Sequence, residues 1–409
     1  MSETCRKSSA PGLAAYLGTL FLGALNDNVS KLLAICFALA SLETGRANAY
    51  LSLAGGCFIL PYLLFSNIAG FLADRFSKKW VMVWTKVLEI VIMVSGWLLA
   101  MRGAVYALLG VLFVMGAQSA FFSPAKYGFL PETEPPERLS RANGLMQLCT
   151  FTAIILGGWL GGTLAARGNG LQPAFGFTFC IAIAVVGLLV SFGITRTPTG
   201  QPNLRYRPAD PLTPHLRTLK ELAHDKTLAY AVAGNAYFWF AGTVIQLILT
   251  TFATNTLHGD HMLVGQLQAV IALGIAAGCC LAGFLSRKSI AYGFVMPAGS
   301  VLGGLLILLA AIGTTRPVAM GLTLFVGLAA GFFELPLSTA MQQRSPQDRR
   351  GRYLAATNAL DCLTMLAGCL YLYVLPALFR CGPRLSIAVL GALTLLVSLL
   401  LKSGLKAER

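Results

Sequence analysis

The sequence predicts an all-α membrane protein, with twelve transmembrane helices arranged as two pseudo-symmetric six-helix halves. Three observations carry that reading. Of the 409 residues, 56% are hydrophobic and 11% are charged, against about 25% charged in a soluble domain. The apolar residues form continuous runs and not the alternation a β-barrel requires. Short stretches of the first half recur in the second at an offset near 213 residues. The composition alone excludes a soluble enzyme, a disordered chain and a disulfide scaffold.

Apolar runs between charged or Pro/Gly breaks place spans near 13–40, 49–72, 79–101, 104–125, 141–166, 173–195, 228–256, 262–285, 290–313, 317–342, 352–380 and 384–402. At about 1.5 Å per residue each can cross a hydrocarbon layer of about 30 Å. The first run follows Arg6 and Lys7 as a secretory signal would, yet it continues through Asn26-Asp27-Asn28 to Ala40 and reads as an uncleaved span. The longest polar interval, 196–227, contains Pro198, Pro202, Pro208, Pro211 and Pro214. It divides the chain into an N-terminal half (1–195), a cytoplasmic linker (196–227) and a C-terminal half (228–409).

Basic residues set the expected orientation. With the N-terminus in the cytoplasm, 23 Lys and Arg fall on cytoplasmic segments, from Arg6 and Lys7 to Lys402, Lys406 and Arg409. The opposite side receives six: Arg46, Arg102, Arg167, Arg316, Arg380 and Arg384. This is the positive-inside bias, so both termini are expected in the cytoplasm. Most of the +15 net charge then reports topology, and no nucleic-acid partner is expected. Cys36, Cys57, Cys149, Cys180, Cys279, Cys280, Cys362 and Cys369 lie in apolar runs, no CxxC occurs, and they read as small core residues. His215, His224, His258 and His261 fall in predicted loops, so neither a metal nor a cofactor is expected.

The repeat has three parts. Gly70-Phe71-Leu72 before Asp74-Arg75 matches Gly283-Phe284-Leu285 before Ser286-Arg287, Phe121-Phe122 with Pro124 matches Phe332-Phe333 with Pro336, and Arg141-Ala142-Asn143-Gly144-Leu145 resembles Ala356-Thr357-Asn358-Ala359-Leu360. Two duplicated six-helix halves are a transporter architecture with its substrate cavity between them.

The loop between spans two and three reads Gly70-Phe71-Leu72-Ala73-Asp74-Arg75-Phe76-Ser77-Lys78-Lys79 and resembles the loop signature of the major facilitator superfamily. Gly70 allows close approach of a helix, Asp74 can accept from a helix N-terminus and favour its dipole, and Arg75 can pair or hold the loop at the headgroups. In that superfamily the loop is a latch closing the cytoplasmic side. The second copy has Ser286 where the acid is expected, so the latch is expected to be asymmetric.

Span one buries Asp27 between Asn26 and Asn28, an expensive placement that points to a cavity or a partner. Lys31 is one turn on and is either its ion partner or part of a gate. Pro124 is expected to bend or end span four. Lys126 beyond it either points inward at an anion or snorkels to the headgroups. Arg141, Asn143 and Gln147 open span five. Gly157-Gly158, Gly161-Gly162, Gly274 and Gly278 are read as packing faces. Of the remaining acids, Glu89 is expected to pair with Lys86, Glu334 to meet a ligand or an opposite charge, and Asp361 to be structural.

Phe21-Leu22-Gly23-Ala24-Leu25-Asn26-Asp27-Asn28, Ser123-Pro124-Ala125-Lys126-Tyr127-Gly128 and Ala142-Asn143-Gly144-Leu145 together resemble the bacterial lysophospholipid transporter family. They also resemble the transporter module fused in some bacteria to an acyltransferase and acyl-carrier-protein synthetase. The resemblance is good over residues 13–165 and weaker beyond. It implies a non-enzymatic carrier of lysophosphatidylethanolamine and lysophosphatidylglycerol across the bacterial inner membrane to the cytoplasmic leaflet, working as a monomer by alternating access among membrane lipids. It implies headgroup contact or gating for Asn26, Asp27 and Asn28 of span one and for Lys126. Substrate contact is further expected of Asn143, Gln147 and Glu334, and gating of Gly70, Asp74, Arg75, Lys31 and Arg141. No acyltransferase domain occurs in these 409 residues, so a separate cytoplasmic acyltransferase is the expected partner. The alternatives are a proton-coupled exporter of amphiphilic drugs, a membrane acyltransferase and a lipid receptor. The acyltransferase lacks support, because there is no His-x-x-x-x-Asp, no Ser nucleophile elbow and no histidine in a predicted span.

Overall fold

A computed structural model of the chain describes residues 10–166, 173–198, 201, 203–204, 213–259, 261–286, 290, 292–379 and 382–405. Of the basic residues counted above, Arg6, Lys7, Arg167, Arg205, Arg207, Arg287, Lys288, Arg380, Lys406 and Arg409 lie outside the described residues. The described residues form helices α1 (Ala10–Ser41), α2 (Thr44–Arg75), α3 (Lys78–Met101), α4 (Ala107–Thr133), α5 (Pro136–Ala166), α6 (Pro173–Ser191), α7 (Thr213–Leu222), α8 (Lys226–Asn255), α9 (His261–Leu285), α10 (Val295–Ile312), α11 (Arg316–Arg344), α12 (Arg350–Phe379) and α13 (Pro383–Lys402). All but the short α7 are long and apolar enough to cross a membrane, twelve in number. In hydrocarbon every backbone N–H and C=O must be satisfied within its own segment, which is why the spans are helical.

Two expectations are corrected. Pro124 does not end the fourth helix: α4 runs through it and through Pro131 to Thr133. Proline removes one backbone donor, and the turns beyond it are held by tertiary contacts, with Tyr16 stacked on Phe129 at 4.5 Å and Lys78 paired with Glu132. The interval 196–227 contains α7. Finally, His215 lies on α7 and His261 opens α9, so these two are not loop residues.

The described residues separate into two compact units. The first draws on Met1–Pro135, Thr152–Leu219 and Pro346–Ala359, the second on Pro136–Phe151, Lys220–Ser345 and Leu360–Arg409. The first turns of α12 thus belong with α2 and α4, and the first turns of α5 with α9 and α11. In the first unit, Val29, Leu33, Phe37, Ile92, Met93, Leu108, Leu112 and Phe177 form a contiguous apolar core. In the second, Gly274 and Gly278 of α9 face Gly327 and Gly331 of α11 so closely that a Cβ on any of the four would run into a backbone carbonyl oxygen of the facing helix. Only small residues permit such helix contact. Gly157 of α5 does the same against Leu25 O of α1 and Gly161 packs tightly on Val29 and Leu32 of that helix, whereas Gly158 meets nothing within 4 Å.

The two units repeat one contact. A Cβ on Gly70 would lie 2.9 Å from Gly351 O and Arg352 Cα and 2.8 Å from Ala355; one on Gly283 would lie 2.8 Å from Ser140 O, with Arg141 and Gly144 next. Gly70 and Gly283 are 213 apart, and each α12 residue is 211 beyond its α5 counterpart. This register aligns Asn358 with Gln147, so the sequence match of Asn358 to Asn143 is one turn out.

Outside the spans, Asp225 caps α8 by accepting from Leu228 N at 3.1 Å and pairs with Arg344 at 2.9 Å. Burial works to raise its carboxyl, but the Arg344 and backbone hydrogen bonds outweigh that and leave it below the usual value. His215 of α7 is buried, 2.8 Å from Ser66 Oγ on α2, and burial pushes its imidazole below the ordinary value. The neutral ring is therefore the docked form, and the stabilisation it brings is lost as pH falls through the ordinary histidine range of about 6.5 toward the lower docked value. Protease cleavage around α7 should accelerate on acidification from about pH 8 to about pH 5.5. His215→Gln should flatten that pH dependence; an unchanged profile in the variant would refute the assignment.

Candidate substrate and gating site

The site begins with three consecutive polar residues on α1. A helix turns about 100° per residue, so they cannot share a face. Asn26 is fully buried and donates to Glu89 Oε1 on α3 at 2.7 Å. Asp27 turns to α4, where Ser119 Oγ donates to its Oδ2 at 2.9 Å. Asn28 donates back to Ala24 O of its own helix at 2.7 Å, and its Cβ packs against Gly157 of α5. Asp27 Oδ1 is shielded and has no hydrogen-bond partner among the described residues. Lys31 does not form the expected ion pair with Asp27: Ser119 holds the carboxylate, and the ammonium stands 5.6 Å from the centre of the Phe58 ring on α2.

Glu89 pairs with Lys86 at 2.6 Å, both side chains at most 2% exposed, as sequence proximity suggests. Lys86 passes through space that a Cβ on Gly23 would occupy, 2.5 Å from its Nζ, which is one reason α1 carries glycine one turn before Asn26. Removing one partner of such a buried pair costs about 3–5 kcal/mol because the other charge is stranded. Lys126 lies within α4; its ammonium is 4.9 Å from the Tyr127 ring centre, and its carbonyl accepts from Tyr16 Oη at 2.9 Å.

The loop signature is built as a carboxylate cap. Asp74, its side chain fully buried, accepts from Gly351 N at 2.5 Å, Arg352 N at 3.1 Å and Arg352 Nε at 3.2 Å. Those amides belong to the first turn of α12, whose orphan N–H groups and dipole favour an anion. Arg75 is not in this cap; its guanidinium lies over Phe71 and Phe76. In the second copy Ser286 bonds to Ala282 O of its own helix at 2.7 Å, and Arg141 lies over Phe284 at 4.7 Å.

In the second unit Gln147 donates to Glu334 Oε1 at 2.9 Å, Asn143 donates to Thr339 at 3.3 Å, and Gln342 donates to Asn143 Oδ1 at 2.9 Å. Cys279 Sγ lies 3.7 Å from Glu334 Oε2. The sequence-selected Asn143, Gln147 and Glu334 are thus brought together in an α5–α11 polar seam. In the duplicated register its counterpart in the first unit is Asn358 donating to Ser123 at 2.7 Å. Sequence reasoning misses Asn358, Ser123, Ser119, Asn235, Thr339 and Gln342 as functional candidates. The available signal is a neutral polar residue inside an apolar span, which is weaker than a charge.

These helices, and residues 19–369 of the sequence, match the Major Facilitator Superfamily. The chain belongs to the major facilitator superfamily. Its relatives are transporters and not enzymes. It is 28% identical over 357 residues to the lysophospholipid transporter LplT of Yersinia pestis, covering 87% of this chain and 84% of the relative; the same figures hold for LplT of Yersinia pseudotuberculosis. Among solved structures it is similar to the human organic anion transporter MFSD10, with a TM-score of 0.79 at 18% identity over 95% of this chain and 99% of that one. The fucose:proton symporter of E. coli superposes with a TM-score of 0.75 at 15% identity over 95% and 98% of the two chains. At these identities the solved structures establish the fold alone.

In this superfamily member Asp74→Asn retains an acceptor but loses the charge, whereas Asp74→Ala leaves the α12 amides bare. Loss of the capping carboxylate is expected to lower stability by about 0.5–2 kcal/mol, with Ala worse than Asn, read as the midpoint of thermal unfolding in detergent. Equal midpoints for wild type and Asp74→Ala would show that the cap contributes nothing.

Proposed function

We propose that this transporter moves lysophospholipids, lysophosphatidylethanolamine and lysophosphatidylglycerol among them, across a bacterial inner membrane to the cytoplasmic leaflet by alternating access. The observation that carries the reading is the unsatisfied Oδ1 of Asp27 with the Lys31 ammonium one turn away and outside ion-pair contact. A lysophospholipid presents a free glycerol hydroxyl, absent from diacyl lipids, beside a phosphate. Asp27 Oδ1 can accept from that hydroxyl, and a lysine can receive the phosphate. The similarity to LplT over most of both chains supports the substrate class.

In this reading Asn26 and Asn28 orient Asp27, Lys126 and Lys31 supply positive charge, and Asn143, Gln147 and Glu334 line the path of the substrate. Gly70, Asp74, Arg75 and Arg141 hold the cytoplasmic side shut, with residues 1–195 and 228–409 as the moving halves joined by 196–227. Both termini face the cytoplasm, the working unit is a monomer in the lipid bilayer, and a separate cytoplasmic acyltransferase reacylates the product. The competing reading, a proton-coupled exporter of amphiphilic drugs, uses Asp27 or Glu334 as proton carrier and requires a gradient.

The test follows fluorescent lysophosphatidylethanolamine between the leaflets of liposomes containing the purified protein, with and without a proton gradient. Wild type should move the lipid in either condition. Asp27→Asn and Lys126→Ala should slow it by about tenfold or more, the loss of one charge-assisted hydrogen bond. No movement above empty liposomes would overturn the substrate. Movement that needs the gradient would overturn the energetics in favour of a coupled carrier.

A further inference from the structure

Two acids of the first unit's spans stand beside lysines. Glu89 has Lys86 in contact, and Asp27 has Lys31 one turn along. Asp361 on α12, in the second unit, differs. It is 9% exposed, and its two carboxylate oxygens share one neutral donor, Asn235 Nδ2 on α8, at 2.9 and 3.0 Å. No ion pair among the described residues reaches it. A carboxylate at this depth must be neutralised by a cation or a proton. One amide does not do that, and it leaves lone pairs on both oxygens free.

The surroundings suit an organic cation. Trp239 follows Asn235 by one turn on the same face of α8, and Phe240 of α8 meets Tyr371 of α12 edge-on at 5.8 Å. The two helices are in backbone contact at Gly368, where a Cβ would lie 3.0 Å from Phe240 O. Ring faces attract cations, and Trp239, one turn from the amide that holds Asp361, is an aromatic residue on that face of α8; the Phe240–Tyr371 pair lies farther along the two helices.

We propose that Asp361, with Asn235 and Trp239, binds the primary ammonium of a phosphoethanolamine headgroup and so sets headgroup preference. The assignment rests on the lysophospholipid reading and makes it specific. Lysophosphatidylglycerol has no ammonium, so it does not use this site, whereas contacts to the shared hydroxyl and phosphate serve both lipids.

The experiment compares transport of lysophosphatidylethanolamine and lysophosphatidylglycerol by wild type, Asp361→Asn, Trp239→Leu and the exchanged pair Asn235→Asp/Asp361→Asn. Proteoliposomes are assayed with and without a proton gradient, and with sodium or potassium as the salt. Asp361→Asn should lose about tenfold or more of lysophosphatidylethanolamine transport and less than about twofold of lysophosphatidylglycerol transport, whose survival certifies a folded protein. Trp239→Leu should shift the same ratio in the same direction. The exchanged pair, which returns a carboxylate to the site from the facing helix, should restore part of the loss. Equal loss of both lipids, or a loss that follows the proton gradient or the salt, would mean a proton or inorganic cation at Asp361 and would overturn the headgroup assignment. No loss for either lipid would overturn it as well. A wild type that moves neither lipid would instead overturn the lysophospholipid reading on which the assignment stands.

Discussion

A charge inside hydrocarbon has to be answered by another group, and most of what is unusual in this chain follows from that constraint. Inserting an acid or a lysine at the centre of a membrane helix costs about 2.5–3.5 kcal/mol on insertion scales. An ordinary hydrogen bond returns only about 0.5–1.5 kcal/mol net. The buried Lys86–Glu89 pair, with Asn26 on the second carboxylate oxygen, is therefore a locked structural element. Asp74 is answered differently, by the amides and guanidinium at the start of α12. That answer can be withdrawn where the protein meets water, because both the carboxylate and the freed amides can be rehydrated there. The first arrangement suits a fixed frame and the second a contact that opens and closes.

Duplication explains where the contacts lie but not their chemistry. Gly70 and Gly283 seat the first turns of α12 and α5 in matching register, and Asn358 and Gln147 donate to acceptors at matching positions. Yet the acceptors are Ser123 in one unit and Glu334 in the other, and Ser286 makes only a bond within its own helix. Helix packing depends on backbone approach, which tolerates only small residues and so keeps the glycines in register. Polar side chains at the seam are free to differ, and there the two units have become unlike.

The fold is legible in the sequence because its signals are local. Apolar length defines a span, and a glycine followed by an acid marks the α2 terminus. The end of α4 is not legible in this way. Proline shows in the sequence as one lost donor, while the Tyr16–Phe129 stacking and the Lys78–Glu132 pair, which hold the helix beyond it, join residues far apart in the chain. The Asn26-Asp27-Asn28 run looks like one polar patch, yet helical geometry sends its members to α3, α4 and α5. Lys31 looks like Asp27's partner because spacing shows which side chains can meet and not which competitor, here Ser119 or Phe58, takes each of them. Asp361 reads as structural from the sequence, since its amide partner is 126 positions away.

Glu89 and Asp361 show two ways in which a buried charge is answered. A structural charge is answered in full by the protein, as Glu89 is. Asp361 is answered by a single neutral amide, and Asp27 by a single hydroxyl with its second oxygen left over. In water such shortfalls would be met by solvent and would signify little. Within a membrane the missing partner must come as cargo or as a proton. Under the proposed function, Asp27 and Asp361 are buried carboxylates that a ligand completes, and their surroundings differ: Lys31 stands one turn from the first, and Trp239 one turn from the amide partner of the second.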